Sequence, residues 1–135
     1  MNGITVQRSV GAILIGGMVA VIVFDALGAF ASKRLGFGYA LLIPGSLLIY
    51  GTVAALVARR RDVGEGLLAA LALAITDLTL GWTVSWFIGP GRPAGGVTIM
   101  SVLGAVITAF VLAGLAGTIG GWIGIRFRRS GSPAS

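Results

Sequence analysis

The chain has 135 residues, 56% hydrophobic and 10% charged, with a mean hydropathy of +1.01, a net charge of +6, 23 Gly, and neither Cys nor His. A soluble domain carries about 25% charged residues because its water-facing surface must be polar, so a soluble enzyme is excluded. The missing Cys excludes a disulfide scaffold and the hydrophobicity excludes a disordered tail, leaving an integral membrane protein.

A helix crossing a hydrocarbon core of about 30 Å needs roughly 20 apolar residues. The first stretch of that kind runs from Val10 to Ala31, 22 residues, and contains Asp25 within Val21-Ile22-Val23-Phe24-Asp25-Ala26-Leu27-Gly28. Lys33 and Arg34, followed by Leu35-Gly36-Phe37-Gly38, end it with charge and turn-forming glycine. The same segment has the ingredients of a cleaved leader: Arg8 as basic start, Val10 to Phe24 as apolar run, and Ala29-Phe30-Ala31 as cleavage box. Its long apolar run and the Lys33-Arg34 pair that would open the mature chain argue for a retained span instead.

The second span, Phe37 to Ala58, is 22 residues long and holds Pro44 beside Ser46. The proline is expected to free the carbonyl of Ala40 and kink the helix near the level of Asp25. Arg59-Arg60-Arg61-Asp62, with Gly64 and Gly66, closes this span, and Asp62 and Glu65 read as partial charge balance for the arginines. The third span, Gly66 to Ile88, has 23 residues and places Asp77 eleven residues from each end, with Thr76, Thr79 and Ser85 along its helix. Gly89-Pro90-Gly91-Arg92-Pro93, with Gly95 and Gly96, is the clearest break in the chain.

The fourth span, Val97 to Ile125, has 29 residues and carries Ala105, Ala109, Ala113, Gly117 and Gly121 at every fourth position, with Gly120 and Gly124 beside them. Small residues at this spacing allow close backbone contact between helices in lipid, here expected to pack the span within the bundle, with a homodimer interface as the alternative. Gly16 and Ala20, and Gly81 and Ser85, repeat the spacing briefly. A basic and polar tail, 126–135, completes a single domain.

The expected fold is thus an all-α compact bundle of four transmembrane helices. The face with both termini and the second loop holds seven basic residues: Arg8, Arg59, Arg60, Arg61, Arg126, Arg128 and Arg129. The other face holds three, Lys33, Arg34 and Arg92, so both termini are expected in the cytoplasm of a prokaryotic cell. Arg59 to Arg61 and Arg126, Arg128 and Arg129 stand where anionic lipid head groups lie, which accounts for the positive charge without nucleic acid. Phe37, Tyr39 and Trp86 at one boundary and Trp122 and Phe127 at the other fit aromatic belts.

Without Cys or His there is no thiol chemistry, no His-ligated metal and no hydrolytic triad, so neither a cofactor nor catalysis is expected. What remains is the pair of intramembrane acids. An Asp near the centre of a span costs about 2.5 to 3.5 kcal/mol on insertion scales and calls for a partner, a cavity or a proton. No Lys or Arg lies within any span, so Asp77 is expected to be protonated near neutral pH. Asp25, six residues from Ala31, is expected about 7 Å shallower than Asp77. Thr108 should share the level of Asp77, eleven residues from Val97.

The candidate proton, cation or substrate site therefore comprises Asp77, Asp25, Thr76, Thr79, Ser85, Thr108, Pro44 and Ser46. Asp25-Ala-Leu-Gly-Ala-Phe30 also resembles Asp77-Leu-Thr-Leu-Gly-Trp82 weakly, as in a duplicated helical hairpin. A proton- or cation-dependent transporter or channel is the first expectation. The alternatives are an accessory subunit of a larger membrane complex docking through its glycine stripe, or a protein that binds lipid or a hydrophobic small molecule beside Pro44.

Overall fold

A computed structural model describes residues 3–89 and 96–130, and among them there are helices and no strand. Of the expected break from Gly89 to Gly96, residues 90–95 with Arg92 lie outside the described residues; of the expected tail at 126–135, residues 126–130 are helical to Ser130, a correction, and 131–135 lie outside the described residues. Helix α1 spans Gly3–Leu35. A 3₁₀ turn, Tyr39–Leu42, leads into α2, Ile43–Arg60. The third long helix is continuous but composite: α3, Val63–Thr76, then a π-helical turn, Asp77–Gly81, then α4, Trp82–Ile88. Helix α5 is Ile99–Ser130. Four helices, over Thr5–Leu35, Tyr39–Arg60, Val63–Ile88 and Ile99–Ser130, are long and apolar enough to cross a membrane.

The ends of these helices follow local chemistry. Gly36 adopts φ +72° after α1, and its N–H bonds the Ser32 carbonyl at 2.9 Å, a left-handed helix stop that favours glycine. Lys33 reaches across to the last turn of α4 and donates to the Ile88 carbonyl at 3.0 Å. Asp62, expected to balance arginine charge, takes a capping role: its carboxylate accepts from the Glu65 N–H at 2.9 Å and caps the start of α3. Arg128, from the end of α5, donates to the Arg61 carbonyl at 2.9 Å and ties the end of α2 to the end of α5. Thr98 and Ser101 cap α5 reciprocally, each hydroxyl accepting from the other's N–H.

Successive helices run up and down, so α1 parallels the third helix and α2 parallels α5. Helices α2 and α3 form the centre of the bundle, with α1 packed on one side of them and α5 on the other. The interior is built mainly from small side chains: Ala54, Ala58, Ala70, Ala74 and Ala113 are fully buried. Large apolar side chains such as Ile15, Leu27, Phe87, Ile107 and Trp122 point outward and are more than 60% exposed. This distribution suits a lipid surround, where close packing rather than burial of apolar area holds helices together.

Glycine permits the closest approaches. A Cβ on Gly120 would strike the backbone carbonyl of Gly51, and one on Gly124 the carbonyl of Ala55, so α5 rests backbone to backbone on α2. Gly117 and Gly121 meet α3 in the same register, against Leu67, Ala70 and Val63. Ala113, Gly117, Gly120, Gly121 and Gly124 are all buried by these contacts, whereas Ala105 is exposed and Ala109 half-buried.

Candidate functional site

Asp25 and Asp77 meet. A Cβ built on Gly81 would run into Asp25 Oδ2 and lie 2.7 Å from Asp77 Oδ1, so both carboxylates are drawn over the bare face of that glycine. They are within hydrogen-bonding reach of each other. The expected 7 Å difference in depth is therefore corrected. Helix α1 continues to Leu35 rather than stopping near Ala31, which puts Asp25 ten residues from its helix end and Asp77 eleven from the end at Ile88.

The π-turn is the local device that shapes the third helix here. The Trp82 N–H bonds the Asp77 carbonyl, one residue wider than the α-helical pattern. Asp25 is followed by glycine after three residues and Asp77 after four, so the extra residue of the wide turn coincides with the offset between the two similar segments. Gly81 thereby faces α1, where any side chain would occupy the space of the carboxylates.

Two tyrosines of the second span complete the constellation. The Tyr39 hydroxyl donates to Asp25 Oδ1 at 3.2 Å, and the Tyr50 hydroxyl donates to Asp77 Oδ2. The order is tyrosine, acid, acid, tyrosine, with the acids facing each other at the centre. Asp25 is only 3% exposed, and its Oδ2 has no hydrogen-bond donor among the described residues. Two carboxylate oxygens turned toward each other need a proton or a cation between them, since like charges at that range repel strongly in a low dielectric.

The pair borders an open cavity of about 430 Å³ lined by α2, the π-turn with the start of α4, and the half of α5 from Gly104 to Leu112. Ser46 and Thr108 add hydroxyls to its wall, and Leu42, Ile43, Leu47, Leu78 and Trp82 make most of the rest apolar. Helix α4 packs on α1, and α5 packs on α2 and α3, so α4 and α5 face each other across the cavity. Several lining residues, among them Ile43, Gly104, Ala105 and Thr108, are also exposed on the outer surface.

Of the eight expected site residues, Asp25, Asp77, Ser46 and Thr108 line this cavity. Thr76 and Thr79 do not turn to Asp77: their hydroxyls donate to the carbonyls of Ala72 and Ile75, as threonines do when they satisfy their own helix. Ser85 is fully buried and donates to the Trp82 carbonyl at 3.2 Å, with Tyr39 nearby. Pro44 does not kink a span. It sits in the first turn of α2, and the Ala40 carbonyl expected to be free accepts the Ile43 N–H within the 3₁₀ turn.

Both tyrosines fall outside the set expected from sequence. Tyr39, expected in an aromatic belt, turns inward to Asp25; Tyr50, in the apolar run Leu47-Leu48-Ile49-Tyr50, is 3% exposed. A phenol in mid-span needs a hydrogen-bond partner, and that requirement was the available signal. Among the described residues no group of three or more acidic side chains could hold a metal ion. No protein-family model matches the chain, and no curated protein or solved structure is significantly similar to it.

Proposed function

We propose that this protein is a small membrane carrier that exchanges a proton for a cation at the Asp25–Asp77 pair. The observation that carries the reading is the pair itself: two facing acids bordering a cavity, one with an oxygen that receives no donor and, among the described residues, no Lys or Arg in the cavity wall. Intramembrane acids of this kind mark ion pathways and proton relays. With one proton between them the pair carries a single negative charge; a cation arriving from the cavity competes for that position and displaces the proton. Tyr39 and Tyr50 hold the outer oxygen of each acid, which leaves the inner oxygens to the exchanging species. The excess of arginine on the face of the termini supports an orientation with both ends cytoplasmic.

The glycine stripe gives less support to a docking role, because Gly117, Gly120, Gly121 and Gly124 are already covered by α2 and α3. The test is proton movement in proteoliposomes with an entrapped pH dye and an imposed pH gradient, with sodium, potassium, tetramethylammonium or tetraphenylphosphonium on the opposite side. Wild type is expected to dissipate the gradient faster than protein-free vesicles with at least one of these cations, and Asp25→Asn and Asp77→Asn to abolish the difference. Flux equal to protein-free vesicles with every cation, or flux unchanged by both substitutions, overturns the reading.

A further inference from the structure

The cavity is much larger than an exchange of protons for simple ions requires. Its 430 Å³ compares with a share of about 30 Å³ for one water in the liquid. An inorganic cation stripped of water needs a cage of several oxygens. Beyond the acids this wall offers the side-chain hydroxyl oxygens of Ser46, Thr108, Tyr39 and Tyr50, all of them uncharged, and most of the rest of it is apolar. A neutral lipid would leave the inner acid oxygens unmatched, and an anion would be repelled by them. A cation with an apolar body suits both parts of the wall: the charge meets Asp25 and Asp77, and the body meets Leu42, Leu47, Leu78 and the ring of Trp82, which also favours cations.

The route of entry follows from the lining residues that are also exposed. Ile43, Gly104, Ala105 and Thr108 border the cavity and the outer surface at once, on helices whose outward side chains are apolar. A Cβ on Gly104 would meet nothing within 4 Å. The gap therefore opens sideways, at the depth of the lipid.

We infer that the cavity between α2, α4 and the Gly104–Leu112 half of α5 binds a hydrophobic organic monocation that enters from the lipid and displaces the proton held by Asp25 and Asp77. The inference rests on the exchange reading above and names its substrate class. The ionisable groups facing the pair are Tyr39 and Tyr50 from the second span. Helix α5 contributes Thr108 and no ionisable group to the wall, and Lys33 at the end of α1 is engaged with the Ile88 carbonyl. Competition with a proton is thus set by the two acids.

The experiment measures binding of tetraphenylphosphonium to the purified protein in lipid nanodiscs, beside tetraphenylborate, which has the same shape and the opposite charge. The phosphonium is expected to bind one per chain and to tighten by up to roughly tenfold per pH unit as pH rises, because each cation bound releases one proton. Asp25→Asn should weaken it at least about tenfold, and so should Ala105→Phe, which fills the cavity from the exposed half of α5 without touching the acids. Equal binding of the borate, affinity independent of pH, or full affinity in Ala105→Phe overturns the inference. Absence of phosphonium binding alongside Asp77-dependent exchange of sodium or potassium overturns the substrate class and leaves the exchange standing. Absence of exchange with every cation and of binding overturns the exchange first.

Discussion

Along α5, the segment from Ala113 to Gly124 and the segment from Gly104 to Leu112 are both rich in small residues, yet their surroundings are opposite. In the first, glycines at Gly117, Gly120, Gly121 and Gly124 let the helix rest on the backbones of α2 and α3. In the second, Gly104, Ala105 and Thr108 border an open cavity with two acids on its far side. The same composition thus serves contact where the partner backbone lies close, and space beside the π-turn at Asp77–Gly81. One half holds the bundle together and the other leaves room for a ligand.

The largest expected effect comes from breaking the contact half. Gly120→Val places branched carbon against the Gly51 backbone, which cannot move aside as a side chain could. A loss of about 3 kcal/mol or more is expected, read as earlier unfolding in a denaturing-detergent titration. If Gly120→Val unfolds with wild type, the backbone contact is not what fastens α5.

Next in size is Gly81→Ala. Its methyl would meet both carboxylates and force them apart, at a cost of about 1 to 3 kcal/mol. Proton exchange in proteoliposomes is expected to fall with it, since the acids no longer share one position. Tyr50→Phe removes one donor from Asp77 and is expected to cost about 1 kcal/mol in the same unfolding titration, as interhelical hydrogen bonds in membranes do. The smallest effect belongs to the cavity half: Gly104→Ala adds a methyl to open space and should change stability by less than about 0.5 kcal/mol. Equal losses from Gly104→Ala and Gly120→Val would erase the difference between the two halves.

The four spans are legible in sequence because apolar runs, arginine clusters and glycine with proline are all local signals. The acids were legible for the same reason, as isolated charges in apolar surroundings. Their meeting was not, because it depends on where α1 ends. Extension from Ala31 to Leu35 adds four residues, about 6 Å of rise, and brings Asp25 to the level of Asp77. Thr76 and Thr79 lie near Asp77 in sequence, but a threonine hydroxyl in a helix is within easy reach of its own preceding turn, and that local bond wins. Tyr39 and Tyr50 reach the acids from a neighbouring helix, and no pattern within one span reports such a contact.

The central claim is that Asp25 and Asp77 act as one proton-holding site. Infrared spectroscopy of the protein in lipid, titrated with pH, tests it most directly through the C=O stretch of a protonated carboxyl group. The wild-type protein should show a protonated carboxyl band that belongs to both residues, so that Asp25→Asn and Asp77→Asn each shift or remove it. Two bands that titrate separately, each surviving unchanged when the other aspartate is replaced, would contradict it.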